Sequence, residues 1–371
     1  MLPNNNGPYH LNDVSAVDSP ALLVFPEVVK ENIDNALRMV SKPATTLLRP
    51  HVKTVKCTDV ITMAIQKGIN RFKCSTIAEA ELLGMAGARD VLLCYQLSET
   101  KAKRFLDLRN EYPNTKFSSV VDNKKSAVML SQFFQENPIN IYMDVNVGMD
   151  RTGVKMAYAL DLIREINGLK GLDIQGFHVY DGHVHSPEYP KRKKQAEAIF
   201  SEMKELRKRA EIQMGKKLSL VIGGSPTFPF YAHHGQLECS PGTIFFWDAG
   251  YGRSFPELPF TPAVTILTRV VSIVDGQTLC FDLGTKATAS DPPQPRVDIL
   301  GLGDHRIVDQ YEEHLVVSVP DSSLYEVGEP FLAIPYHICP TVNLYEELKV
   351  IEMGDAVQTW KVLARDRKIK I

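Results

Sequence analysis

The sequence predicts a (β/α)8 barrel with a second, smaller β-rich domain, and three observations carry that prediction. Eight short β-prone runs lie between residues 47 and 247, amphipathic helix patterns separate them, and the rhythm changes after about residue 260. Strands alternating with helices of this length imply right-handed parallel crossovers, and eight of them suggest closure into a barrel. An open doubly wound sheet is the main competitor, but the G-x-G-x-x-G fingerprint after the first strand is missing.

The first helix, over 26–41, carries Val29, Ile33, Leu37 and Val40 on one face and begins at Pro26, where a missing amide costs nothing. Strands are expected over 47–51, 71–75, 91–95, 116–121, 141–147, 174–180, 219–224 and 237–247. Between them, helical periodicity falls over 58–67, 77–85, 101–109, 124–134, 158–167 and 192–208. Later runs over 263–274, 278–282, 315–319, 330–334 and 356–363, set off by Asp-Gly, Pro-Pro and Gly-Asp turns, read as β structure. The barrel is therefore expected over 26–258, and the β-rich domain over 1–25 plus 259–371. The apolar run over 21–25 is expected to pair with that second domain.

Composition narrows the function. A chain of 371 residues exceeds one small core, and 44% apolar content supports a folded protein. Forty-two basic against 44 acidic residues give a net charge of -2, which favours neither nucleic acid nor an anionic membrane and leaves a small-molecule partner. No run approaches about 18 apolar residues, and the opening Met1-Leu2-Pro3-Asn4-Asn5-Asn6 lacks the basic and apolar regions of a signal peptide, so a cytoplasmic location is expected. Six dispersed cysteines argue for free thiols in a reducing compartment.

In a barrel the active site lies at the C-terminal ends of the strands. Strand one ends in Arg49-Pro50-His51-Val52-Lys53-Thr54, which places Lys53 in a strand-to-helix loop. A partly desolvated lysine amine there suits Schiff-base attachment of pyridoxal phosphate (PLP), although a solvated loop lysine reads the same from this segment alone. Strand seven ends in Gly223-Gly224-Ser225-Pro226-Thr227, where consecutive glycines let amides approach a phosphate and Ser225 and Thr227 add hydroxyls; an ordinary turn is the alternative. Pro241-Gly242-Thr243 supplies further amides. Arg151, after Gly148-Met149-Asp150, is placed to meet a pyridoxal phenolate oxygen or to pair with Asp150 or Asp144. Tyr180 and His183 are candidates to face the ring or carry protons, whereas His178, inside strand six, reads as a core residue. In the second domain, His337-Ile338-Cys339 follows an apolar strand. On an extended backbone residues i and i+2 point the same way, so His337 and Cys339 suit one soft divalent ion with open coordination positions.

Five motifs then resemble one family. Arg-Pro-His-Val-Lys-Thr at 49–54, Ser-Thr-Ile-Ala-Glu-Ala-Glu at 75–81, Asp-Val-Asn-Val-Gly-Met-Asp-Arg-Thr-Gly at 144–153, Tyr-Asp-Gly-His at 180–183 and His-Ile-Cys-Pro-Thr-Val-Asn-Leu-Tyr at 337–345 resemble the D-threonine aldolase and D-serine dehydratase group, fold-type III PLP enzymes related to alanine racemase. The resemblance runs nearly the full length. It implies a PLP-bearing barrel, a homodimer and a divalent ion, Zn or Mn. By position, it makes Lys53 the Schiff-base lysine, Arg151 the ring-oxygen partner, Gly223, Gly224, Ser225, Thr227, Gly242 and Thr243 the phosphate cup, and His337 with Cys339 the metal ligands. His51 and Tyr180 complete the cofactor contacts, and His183 or His185 is the candidate base. The implied reaction is retro-aldol cleavage of a D-3-hydroxy amino acid to glycine and an aldehyde. Dehydration of D-serine or 3-hydroxyaspartate to a keto acid and ammonia is the alternative. Two departures mark this chain: Val55-Lys56 stands where the family often has His-Lys, and His-x-Cys is dehydratase-like while the trailing Pro-Thr-Val-Asn-Leu-Tyr is aldolase-like. A non-catalytic carrier would have no use for the His-x-Cys pair, and a racemase needs no metal.

Overall fold

A computed structural model of the chain describes residues 7–40 and 46–371. The chain divides into two compact units, one comprising 34–53, 61–244 and 366–371, the other residues up to 33 with 54–60 and 245–365.

The first unit contains eight parallel strands, Thr46–Leu48, Arg71–Cys74, Asp90–Leu93, Lys116–Val121, Ile139–Asn146, Leu172–Val179, Ser219–Ile222 and Leu237–Cys239. From the second onward, each pairs with the next in parallel, and the eighth also pairs with the first. Strands one and two meet at a parallel bridge between His51 and Lys73, which closes the ring. There the Lys73 amide donates to the Pro50 carbonyl and the Val52 amide to the Lys73 carbonyl, each at 2.9 Å. The expected (β/α)8 barrel is thus observed. Pro50 lacks a donor but keeps its acceptor, so pairing runs past it.

Helices follow strands one to six: Thr58–Gln66, Ile77–Met85, Glu99–Glu111, Lys124–Phe133, Met156–Ile166 and Tyr189–Met214. The last outruns its predicted 192–208 span at both ends. Helix Pro26–Met39 precedes strand one; residue 41, the predicted end of that pattern, lies outside the described residues. Strand eight stops at Cys239, short of the expected 247. Pro241 offers no amide to continue the ladder, and Trp247 sits at φ 51°, outside strand geometry.

The second unit is mostly β. Ala21–Val24 pairs antiparallel with Val264–Asp275 and parallel with Glu347–Glu352, which continues to Asp355–Lys361. On the other side of Val264–Asp275 run Thr278–Phe281, Leu315–Ser318 and Arg306–Gln310. Pro330–Pro335 lies between Val264–Asp275 and Val297–Leu300. The strands Val297–Leu300, Arg306–Gln310 and Glu347–Glu352 were not evident in the sequence, because charged or turn-forming residues interrupt their apolar patterns. All six cysteines are free, and among the described residues no helix is long and apolar enough to cross a membrane.

Within the barrel, Leu92, Val120, Tyr142 and Val221 from strands three, four, five and seven form a buried cluster. Arg49, 0% exposed, reaches Glu238 through Nε at 2.5 Å and Asp90 through Nη1 at 2.8 Å, and Arg71 joins Glu238 at 3.2 Å. Charges taken from water in this way are tolerated only as a set. Arg49→Ala is therefore expected to strand two carboxylates and to cost about 3–5 kcal/mol in urea unfolding, whereas Arg71→Ala, at the half-exposed edge, should cost about 1 kcal/mol or less.

Candidate active site

Lys53 is partly buried just beyond the strand-one bridge. Its amide donates to His51 Nδ1 at 3.1 Å, so the neutral imidazole carries its proton on Nε2 and donates to Ser75 Oγ at 2.9 Å. The Lys53 loop is thereby tied to the start of the next helix. The Lys53 amine lies 5.8 Å from the centre of the Tyr180 ring, and Arg151 approaches the same ring at 5.1 Å. Glycines make room for that ring: a Cβ on Gly182 would stand 2.5 Å from it, and one on Gly224 3.2 Å. The alternative ion pairs for Arg151 are not formed among the described residues, because Asp150 accepts from Asn146 at 2.9 Å and Asp144 is held by His178.

A residue missed in the sequence joins this group. Lys73 of strand two is 2% exposed and its Nζ lies 5.6 Å from the Tyr180 ring centre. Burial and the Lys53 charge hold its amine below the ordinary lysine range, against the pull of Cys94, Asp181 and Asp144. The available signal was strand parity: Lys73 bridges His51, so both occupy the same layer.

After strand seven, the Gly224 amide donates to Thr227 Oγ1 at 3.1 Å, and that hydroxyl donates to Asp181 Oδ1 at 3.0 Å. Tyr231 donates to the other Asp181 oxygen at 2.7 Å. Arg192, buried on its helix, donates to the carbonyls of Pro226 at 3.0 Å and Ser186 at 2.6 Å. The amides of Gly242 and Thr243 donate to Ser225 Oγ at 3.1 and 3.0 Å, so these two amides are engaged inside the protein and Ser225 keeps its own O–H proton to give. The loop is a braced turn with hydroxyl and amide donors of the kind a phosphate accepts. Asp181, Tyr231 and Arg192 are its unforeseen supports.

His183 is partly buried, with Nδ1 lacking a partner among the described residues and Nε2 2.9 Å from where a Cβ on Gly148 would stand. His185 is exposed and its Nδ1 meets only the Gly182 carbonyl, at 3.2 Å. His178 is the buried residue the sequence suggested, bonded through Nδ1 to Asp144 at 2.7 Å. Burial alone would lower its pKa, but Cys94 and the Asp144 carboxylate outweigh that and raise it to about 9.

In the β-rich unit, His337 and Cys339 do not lie on extended backbone. His337 is the N-cap of helix Ile338–Leu344 and Cys339 stands in its first turn, yet their side chains still meet. His337 Nδ1 faces Asp291 at 2.6 Å, and Cys339 Sγ lies 3.0 Å from Thr54 Oγ1. Among the described residues no group of three or more His, Cys, Asp or Glu side chains is placed to hold a metal ion. His337 and Cys339 are by themselves ligand types that a soft divalent ion takes, and the imidazole Nδ1 is oriented by the Asp291 carboxylate.

A parallel (β/α)8 barrel with Lys53 just beyond its first strand and a hydrogen-bonded turn after its seventh is the architecture of barrel enzymes, whose sites lie at the C-terminal ends of the strands. The sequence profile described as alanine racemase, N-terminal domain, matches residues 26–249, more than half the chain, and the chain belongs to that family. A putative serine dehydratase domain profile matches 263–351. D-threonine aldolase of Arthrobacter sp is 26% identical over 369 residues, 95% of this chain and 94% of that one. 3-Hydroxy-D-aspartate aldolase of Paracoccus denitrificans (strain Pd 1222) is 26% identical over 374 residues, 96% and 94%. The crystal structure of D-threonine aldolase from Filomicrobium marinum superposes with a TM-score of 0.85 at 25% identity, covering 94% of this chain and 95% of that one. The chain is thus an enzyme of the lyase class, and enzymes of this fold type use PLP.

Two outcomes follow. Asp181→Asn removes an acceptor from one of two hydroxyls bracing the loop, so equilibrium dialysis should show roughly tenfold weaker PLP retention, with the melting curve little changed. For His178, the raised pKa means its contribution to stability is complete below about pH 6.5 and is lost as pH rises through about 9. The urea-stability difference between the protein and His178→Gln should accordingly shrink across that window.

Proposed function

We propose that the chain is a PLP- and divalent-metal-dependent lyase that cleaves D-3-hydroxy amino acids to glycine and an aldehyde. The observation that carries this reading is the end-to-end match to two aldolases of D-3-hydroxy amino acids. The placement of Lys53, Arg151 and the strand-seven loop supports it. Lys53 would hold the cofactor aldehyde; the Ser225 hydroxyl would hold its phosphate, in a turn that Thr227 braces against Asp181; Arg151 would meet its phenolate oxygen; Tyr180 would pack against its ring. PLP supplies an electron sink for the carbon whose bond is broken. His337 and Cys339 hold the ion, which supplies Lewis-acid polarisation of the substrate oxygens.

His183 is the base in this reading. A ring nitrogen of the partly buried His183 imidazole accepts the 3-hydroxyl proton as the Cα–Cβ bond breaks, and returns a proton to the glycine carbon or to solvent. Exposed His185 is the weaker candidate. The functional architecture is a PLP barrel over 26–258, with 1–25 and 259–371 forming the part that carries the ion, working in the cytoplasm as a homodimer.

One observation favours a second reading, dehydration of D-serine or 3-hydroxyaspartate to a keto acid and ammonia: the serine dehydratase profile covers 263–351, the segment that contains His337 and Cys339. Both reactions use the same residues and differ in which substrate bond stands perpendicular to the ring.

Incubation with D-threonine, D-3-hydroxyaspartate and D-serine, with separate assays for glycine plus aldehyde and for keto acid plus ammonia, separates them. Glycine plus acetaldehyde or glyoxylate is expected, and keto acid alone would reject the aldolase reading. Lys53→Ala should abolish the visible absorbance of bound PLP. Cys339→Ala should keep that absorbance and lose turnover by at least about a hundredfold, and EDTA should mimic it in a manner reversed by Zn2+ or Mn2+.

A further inference from the structure

We propose that Lys73 is a cofactor-facing residue of the barrel mouth, whose side-chain amine gives the bound pyridoxal ring a cationic neighbour in addition to Arg151. This rests on the PLP reading above and goes beyond it, since no family motif quoted in the sequence includes this lysine.

The argument is topological first. In the ring of eight strands, strand two and strand six are four places apart and face each other across the barrel. Lys73 belongs to strand two and Tyr180 directly follows strand six, yet the Lys73 amine comes within 5.6 Å of the Tyr180 ring centre. The two side chains therefore meet across the barrel between these strands. Lys53, from strand one, and Arg151, from the loop after strand five, reach the same ring at 5.8 and 5.1 Å. Three cations converge on one aromatic ring.

Counter-charge inside the protein is already committed. Of the acidic groups near the Lys73 amine, Asp144 is bonded to His178 at 2.7 Å, and Asp181 accepts from Thr227 and Tyr231 at 3.0 and 2.7 Å. Cys94, the remaining titratable neighbour, lies on strand three's end with its Sγ 3.7 Å from the Leu92 carbonyl. Among the described residues the Lys73 amine carries no hydrogen bond or ion pair, although the residue is 2% exposed. A buried cation without a partner is destabilising unless a ligand brings negative charge. The phosphate has its own donors after strand seven, which strands eight and one separate from Lys73. The anionic group left for Lys73 is the ionised oxygen of the pyridoxal ring, which it shares with Arg151.

A cation beside the ring disfavours the protonated form of the lysine–cofactor imine, so its removal should move that titration upward. The experiment compares the PLP-loaded protein with Lys73→Met, Lys73→Gln and Lys73→Arg. It follows visible absorbance against pH and PLP retention on dialysis, with a thermal melt to show that each variant is folded. The expected result is a midpoint higher by about one pH unit in Lys73→Met and Lys73→Gln, with weaker retention, and a near-normal midpoint in Lys73→Arg. Should Lys73→Met not fold, the glutamine variant carries the comparison. A midpoint and retention unchanged in a folded neutral variant would overturn the proposal while leaving the PLP reading intact. Failure of the unsubstituted protein to take up PLP would overturn both.

Discussion

Two main-chain hydrogen bonds, Lys73 amide to Pro50 carbonyl and Val52 amide to Lys73 carbonyl, close the barrel, and the site depends on them. Strand one contributes only Thr46–Leu48 to the regular ladder, too short to hold a loop in place by itself. Extending its pairing beyond a proline fixes the backbone as far as Val52, one residue before Lys53. The same bridge places Lys73 beside His51, and His51 in turn grips both the Lys53 amide and Ser75. Closure of the fold and placement of Lys53 are one event.

The charge arrangement follows a second constraint. The base of the barrel is neutralised internally, with Arg49 and Arg71 set against Asp90 and Glu238. Its mouth is not: Lys53, Lys73 and Arg151 gather around Tyr180 while Asp144 and Asp181 are engaged elsewhere. A barrel that balances charge at one end and leaves it unbalanced at the other is preorganised for an anionic ligand at the second end. Tyr180 suits the centre of this group because its ring presents a negative face to cations and an apolar face to a stacked heterocycle.

The alternation of short strands and helices was legible because each barrel strand is a β-prone run of the right length closed by a turn. Lys53 was conspicuous because a lysine directly after such a run has few structural reasons to be there. Lys73 was not, since Arg71–Cys74 alternates charged and apolar residues and reads as an ordinary half-exposed strand. Only the pairing with His51 shows that its charged face is turned inward. The supports of the anion loop were hidden for a similar reason: Asp181, Arg192 and Tyr231 come from separate parts of the sequence, and nothing local marks them as partners.

The His-x-Cys segment shows how spacing can suggest the wrong local geometry. Pro340 is no obstacle to a helix here, because a proline in the first helical turn forfeits only an amide that would have no partner anyway. A helix therefore begins at Ile338, and its start is held by Asp248, whose Oδ2 accepts the Ile338 amide at 3.1 Å while Oδ1 accepts Tyr251 at 2.8 Å and caps helix Ala249–Ser254. Burial pushes this carboxyl up to about 6, and its two amide bonds and the nearby His337 oppose the rise. One carboxylate thus fixes two helix starts. Inside a helix, residues two apart face different directions. Here His337 keeps an extended conformation, φ -135° and ψ 95°, and only Cys339 is helical. The change of backbone geometry between the two residues is what lets their side chains converge, so the donor pair depends on the cap as much as on the spacing.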